Sequence, residues 1–137
     1  MFAYQFKHVI PISLNEASTL IPVASLSTEY IVKDWCCAGQ NLVEEQQDGL
    51  KSQVTLVGIH DGTVADVTVT VATEDGTNIE AMDAGGVLHV DLDEGVVVQI
   101  RPLEYNTGLD GTSVDSDLPI AIFVSHPLAF VPPTTMV

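Results

Sequence analysis

Apolar side chains in the middle of the chain recur with a period of two, and this pattern limits the fold more than any other feature. Val67, Val69 and Val71 alternate with smaller or polar residues, and β-branched residues at every second position form strands with one buried face. Similar segments follow at intervals of roughly ten residues, separated by Gly-containing turns, as in all-β sandwiches. At 137 residues and 46% hydrophobic, the chain can bury a core. We predict one domain, residues 1–137, folded as an antiparallel β-sandwich.

The core should come from the apolar faces of these strands, because strand register is set wherever one face is buried. The predicted core consists of Val67, Val69, Val71, Leu88, Val90, Leu92, Val98, Ile100, Ile120, Ile122 and Val124.

A second pattern occurs near the end of the chain, where a polar loop leads into an apolar strand. Pro119 suits the first residue of a strand because it has no N–H to donate. Residues 120–124 are apolar at every position, which indicates a strand covered on both faces. The sequence therefore predicts a central strand from Ile120 to Val124. It also predicts an ordered loop from Thr107 to Leu118, with Gly111 in a turn.

The first third of the chain has weaker signals. Phe2–Ser13 alternates loosely and is predicted as a strand. Asn15–Ser18 is polar and indicates a turn or one helical turn. Leu20–Leu26 contains a proline and is at best an edge strand, whereas Thr28–Trp35 is predicted as a strand. Ala38–Lys51 is acidic, and we expect an irregular excursion that includes a short helix at most.

Composition restricts the partners. The chain has 19 acidic residues against 4 Lys and Arg, which gives a net charge of −15. Such a surface repels nucleic acid and anionic membranes. No apolar run is long enough to span a bilayer, and the first residues do not follow the pattern of a signal peptide. If the domain is extracellular, we expect it to be a module of a longer chain or to have lost its leader.

Two adjacent cysteines, Cys36 and Cys37, suggest three arrangements. The simplest is a pair of free or partly buried thiols, since Cys is often buried as a small hydrophobe. A bond to a cysteine outside this chain comes next, and a disulfide between neighbours is disfavoured by its geometry. The absence of a Cys-x-x-Cys motif excludes the usual zinc and redox motifs.

Catalytic motifs are missing from the sequence. There is no Gly-x-Ser-x-Gly, no His-Glu-x-x-His and no phosphate-binding loop before a helix. The four histidines are far apart, with no His-x-x-x-His pair for zinc. Asp-Gly-Thr occurs at 61–63, 75–77 and 110–112, and turn chemistry explains this better than a repeated ligand loop. We predict that the chain is not an enzyme.

Calcium is the one metal with a physical argument. Asp110, Asp115 and Asp117 lie in a single loop, and calcium takes about six to eight oxygen ligands. The spacing of an EF-hand is absent, so a solvated acidic loop is the main alternative. We predict no required cofactor and place any calcium at these three residues.

Several motifs from residue 71 onward are similar to a known family, and the similarity extends less specifically back to about residue 22. They are Val71–Ile79, Leu92–Gly95, Val98–Ile100, Leu109–Thr112, Ser116–Phe123, Val124–His126 and Phe130–Pro132. Together they resemble the IgGFc-binding protein N-terminal domain family. Leu128 lies near the position of a cysteine often seen in the family, and Ser125 stands where Gly is usual, so no family disulfide is expected.

The resemblance implies a secreted or cell-surface module that binds or adheres and does not catalyse. It implies a protein or glycan partner, or neighbouring copies of the same domain, while charge and the lack of a long apolar run argue against nucleic acid and an inserted membrane. Ser125 and His126, after the predicted central strand, are the candidate partner surface. Two alternatives remain: a structural module that packs with like domains in a filament or layer, and an accessory domain of a larger enzyme. Unpaired edges at Phe2–Ile12 or Leu20–Leu26 would favour the structural module.

Overall fold

The computed structural model describes the backbone of residues 3–9, 14–35 and 51–126, and the side chains of residues 21–35 and 51–126. These residues form eight strands and one short 3₁₀ turn, and every strand pair is antiparallel. The predicted all-β antiparallel class is confirmed. The elements are β1 (Ala3–Val9), β2 (Leu14–Leu20), the 3₁₀ turn (Val23–Ser25), β3 (Ser27–Ile31), β4 (Gln53–Val57), β5 (Val64–Thr68), β6 (Val87–Asp91), β7 (Val97–Ile100) and β8 (Ser113–Ser125).

One strand connects the whole main sheet. β8 is 13 residues long, and the six-stranded sheet has the order β6-β5-β8-β4-β7, with β3 also paired to β8. The first part of β8 pairs with β3 and β5. Its last five residues pair with β4, which in turn pairs with β7. The prediction of a central strand over Ile120–Val124 is confirmed, and that strand begins earlier than expected.

The inner faces of both parts of the sheet meet in one core. Buried residues alternate with exposed or half-buried ones along β4, β5, β6 and β7, as expected for strands with one covered face. The sheet therefore curls around a single apolar cluster, which is consistent with a sandwich. The cluster consists of Val32, Val54, Leu56, Ala65, Val67, Val69, Leu88, Val90, Leu92, Val98, Ile100, Leu109, Val114 and Ile120.

Most of the predicted core is confirmed. Eight of its eleven residues are buried, and Val71 and Ile122 are partly buried against the cluster. The prediction is wrong for Val124, because this residue is 37% exposed. It pairs with the buried Val54, so it faces inward, but it lies close to the end of β8, where the core no longer covers it. The predicted core also omitted the inward residues of β4. The sequence of this strand mixes apolar and polar residues, so it does not show which side is buried.

The prediction that β8 is covered on both faces is also wrong. Phe123 is 49% exposed and shares its face with its β4 partner Thr55. An uninterrupted apolar run indicates burial of both faces only when another layer covers the second face. Among the described residues, this second face remains open to solvent.

The start of the chain differs from expectation. β1 and β2 form a separate two-stranded sheet in which Ala3 pairs with Leu20. Asn15–Ser18 therefore belongs to a strand and not to a turn, because cross-strand pairing outweighs a polar sequence. The predicted edge strand over Leu20–Leu26 is wrong beyond its first residue, since a 3₁₀ turn follows. Cys36, Cys37 and most of the acidic segment lie outside the described residues.

Aspartates hold two of the Asp-Gly turns in place. Gly62 and Gly111 have positive φ values of 74° and 82°, which glycine adopts without strain. The N–H of Gly62 donates to Asp93 Oδ1 at 2.7 Å. The N–H of Leu109, beside the second turn, donates to Asp34 Oδ2 at 2.8 Å. These contacts support the turn interpretation at two of the three repeats. The predicted loop from Thr107 to Leu118 is wrong from Ser113 onward, because those residues belong to β8.

Candidate binding surface

The outer face of β4, β7 and the part of β8 after Pro119 is made of uncharged side chains. Phe123 pairs with Thr55, and Thr55 pairs with Gln99, so the three side chains lie in a row across the strands. A neighbouring row consists of Ala121, Val57 and Val97. At the ends of β4 and β8, Gln53 pairs with Ser125. This pair and the two rows form what we call the neutral face, which consists of Gln53, Thr55, Val57, Val97, Gln99, Ala121, Phe123 and Ser125.

The neutral face exposes apolar area. Phe123, on the central strand β8, is 49% exposed, and Val97, on the edge strand β7, is 56% exposed. None of the eight side chains is ionisable, in a protein with a net charge of −15. Exposed apolar residues surrounded by polar ones are typical of interaction sites, and aromatic anchors with few charges characterise the centre of protein interfaces.

One of the two predicted partner residues lies on this face. Ser125 Oγ accepts a hydrogen bond from Gln53 Nε2 at 3.0 Å, which joins the ends of β8 and β4. His126 is the next residue and is half-buried. Thr55, Gln99 and Val97 were missed, because only the strand register brings them beside Phe123. The available signal was Phe123 itself, a large aromatic residue within a strand.

The outer face of the other strands carries several carboxylates beside the exposed apolar residues Ile31, Val64 and Val87. One row of cross-strand partners runs from β3 through β8 and β5 to β6, and it consists of Glu29, Asp115, Asp66 and His89. Three carboxylates therefore occupy adjacent positions in this row. His89 Nδ1 lies 2.6 Å from Asp66 Oδ1. Asp91 and Asp117 flank the row on β6 and β8. We call Glu29, Asp66, Asp91, Asp115 and Asp117 the acidic face.

The three candidate calcium ligands have separate surroundings. Lys33 Nζ is 2.9 Å from Asp110 Oδ1, and the N–H of Asp34 also donates to that oxygen. The hydrogen bond from Lys33, followed by that from Asp34, lowers the pKa of Asp110. Asp117 Oδ1 accepts the N–H of Val64 at 2.8 Å, and Asp115 belongs to the carboxylate row. No three His, Cys, Asp or Glu side chains in the described part of the chain are grouped to hold a metal ion.

A cavity adjoins the neutral face. The segment from Thr73 to Met82 forms a small hairpin, closed by bridges between Thr73 and Met82 and between Gly76 and Ile79; we call it the 73–82 hairpin. A cavity of about 380 Å³ lies between this hairpin and β7. Val97 and Gln99 line the cavity and also belong to the neutral face, so the two surfaces are continuous.

Comparison with known proteins agrees with the motifs in the sequence. A family model described as IgGFc binding protein matches residues 16–136, which is nearly the whole chain. No curated protein and no solved structure gives a significant match. Within the residues that the structure describes, no helix has the length and apolar character needed to cross a membrane. The chain belongs to the IgGFc-binding protein family.

Proposed function

We propose that this chain is a non-catalytic, extracellular binding module that recognises a protein partner through the neutral face. The observation that carries this proposal is the set of eight uncharged side chains around exposed Phe123, within a strongly acidic protein. Membership of a family of binding proteins supports the same function. Phe123 is the anchor, because aromatic residues near the centre of an interface contribute much of the binding energy.

The size of the face indicates weak binding by one module. Three strands spaced about 4.8 Å apart and five residues of about 3.4 Å each cover roughly 240 Å². A stable interface buries about 800 Å² on each partner. A partner must therefore extend beyond the neutral face, or several linked modules must bind together and gain avidity.

The second candidate is a structural module that packs against copies of itself. The same charge distribution favours this role, because two chains with a net charge of −15 repel each other least where their uncharged faces meet. Sedimentation velocity tests this candidate. A concentration-dependent increase in mass that Phe123→Ser abolishes would support it, and a monomer at all concentrations would contradict it.

The main proposal is tested by surface plasmon resonance with immobilised immunoglobulin Fc, the probe suggested by the family description. We expect weak binding that falls at least about tenfold in Phe123→Ser, because removal of an aromatic anchor costs about 2 kcal/mol or more. Asp115→Asn, on the acidic face of the same strand, is the matched control and should leave binding unchanged. Binding that both variants retain would move the site away from the neutral face, and absent binding would exclude Fc as the partner.

A further inference from the structure

The cavity beside β7 is a concave site with two well-defined walls. One wall is the tip of the 73–82 hairpin, where the N–H of Gly76 donates to Ile79 O at 2.9 Å. The other wall is β7, including Val97 and Gln99. Its volume of about 380 Å³ lies within the range of small-molecule sites, roughly 300–1,000 Å³. The space is therefore large enough for a small ring-shaped ligand.

The fixed charges around the cavity balance one another. Glu74 Oε2 accepts a hydrogen bond from Lys51 Nζ at 3.1 Å, and Glu74 Oε1 accepts one from Arg101 Nε. Lys51 also donates to Leu103 O at 2.8 Å, and its side chain is only 10% exposed. Asp75 supplies the second carboxylate. Glu74, Asp75 and Arg101 line the cavity, and Lys51 adds a second cation through its bond to Glu74. These four charges sum to zero, so the site has no excess charge with which to select an ion.

The other polar groups offer donors and acceptors together. Asn78 and Gln99 line the cavity and are exposed, and each amide has an acceptor oxygen and a donor NH₂ group. Thr77 adds a hydroxyl, which also donates and accepts. Anions require donors and cations require acceptors, whereas a ligand hydroxyl needs both. This set of side chains therefore matches a neutral ligand with several hydroxyl groups.

Apolar side chains complete the lining. Ile79 on the hairpin and Val97 on β7 line the cavity, and they can cover the C–H surface of a ring while the amides bind its hydroxyls. We propose that this cavity binds a neutral sugar residue of a glycan. The proposal does not depend on the protein partner of the neutral face, although both ligands would contact Val97 and Gln99.

The experiment is a titration of the ¹⁵N-labelled protein with the methyl glycosides of glucose, galactose, mannose and N-acetylglucosamine, followed by NMR. A single sugar offers few atoms, so we expect millimolar dissociation constants. At least one glycoside should give saturable shifts in residues 75–79 and 97–101. Asn78→Ala and Gln99→Ala should each weaken binding at least about fivefold, and their spectra report whether the fold is intact.

Two control variants separate this proposal from the preceding one. Gln53→Ala removes a neutral-face amide, and this amide does not line the cavity. Phe123→Ser removes the aromatic anchor proposed for the protein partner. Both variants should bind the glycoside as the wild type does. Sugar binding that Asn78→Ala and Gln99→Ala both retain would overturn the proposal, as would the absence of saturable shifts with all four glycosides. Neither result would affect Fc binding by the neutral face.

Discussion

The two ends of β8 differ in the chemistry of their outward side chains, although they belong to one strand. Before Pro119 the outward side chains include Asp115 and Asp117, and after it they include Ala121 and Phe123. Both parts have inward residues in the same core, namely Val114 and Ile120. The inner face is therefore uniform because it has to pack, whereas the outer face is free to differ. This difference is the reason that we propose the end of the strand after Pro119 as the part that binds a partner.

The acidic end has an energetic disadvantage that the neutral end lacks. Glu29, Asp115 and Asp66 are directly opposite one another, and like charges at such positions are destabilising. Only His89 provides a partner of opposite charge in that row, when it is protonated. We expect exposed carboxylates at these positions to disfavour association of this face with another acidic chain.

The shared core predicts the largest effect. Ile120 is fully buried and lies where β8 passes from one set of neighbours to the other. Ile120→Ala should lower the free energy of unfolding by about 2–5 kcal/mol, measured by urea denaturation. Both ends of the strand should unfold in one transition, because they pack into the same cluster. Ile122→Ala, at a half-buried position, is the control and should cost less; two separate transitions for Ile120→Ala would show that the ends are independent.

A charge placed on the neutral face should affect binding more than stability. Thr55→Glu puts a carboxylate beside Phe123, where a partner would have to bury it without a counter-ion, so Fc affinity should fall at least about tenfold. Thr68→Glu makes the same change on the outer face of β5 and should leave the affinity unchanged. Surface plasmon resonance compares the two variants directly. Equal losses in both would mean that the difference between the faces has no role in binding.

Removal of charge from the acidic row should stabilise the protein slightly. Asp115→Asn keeps the side-chain shape and removes repulsion from Glu29 and Asp66, so stability at low salt should rise by about 0.2–1 kcal/mol. The gain should shrink at high salt, because ions screen exposed charges. Thermal melts at two ionic strengths measure both effects. A destabilised variant would indicate that Asp115 makes a favourable contact in the folded protein.

Asp110 should make stability depend on pH in the acid range. The Lys33 hydrogen bond lowers the pKa of the folded carboxyl, so its stabilising contribution is complete above the ordinary value, about pH 4. That contribution is lost as the pH falls through the lower folded pKa. Asp110→Asn should therefore melt at a lower temperature than wild type at pH 7, with the gap closing below about pH 4. A gap that is constant with pH would exclude the charge as its cause.

Calcium should have the smallest effect. Asp110 and Asp117 already accept hydrogen bonds from Asp34 and Val64, and Asp115 is in a different row. We expect millimolar calcium to shift the melting temperature no more than magnesium at equal ionic strength. A larger shift that Asp115→Asn abolishes would instead establish the calcium site predicted from the sequence.

The strands from β4 onward were predictable because their signal is local. Alternation at Val67, Leu88 and Val98 shows which side is inward within a single segment, and Asp-Gly pairs mark the turns without reference to the rest of the chain. Asn15–Ser18 was not predictable in this way, because its strand conformation depends on pairing with β1. The exposure of Phe123 reflects that no second layer among the described residues covers it, which no local sequence pattern indicates.

Alternation, turn residues and short motifs are properties of neighbouring positions, so the antiparallel β class, most of the core and the family could be predicted from the sequence. The acidic character of the surface follows from composition in the same way. The distribution of that acidity depends on the fold. Cross-strand register placed Glu29 beside Asp115 and Thr55 beside Phe123, and register joins residues that are far apart in the chain. The neutral face and the sugar-sized cavity exist because pairing collects residues whose separate sequence contexts show nothing unusual.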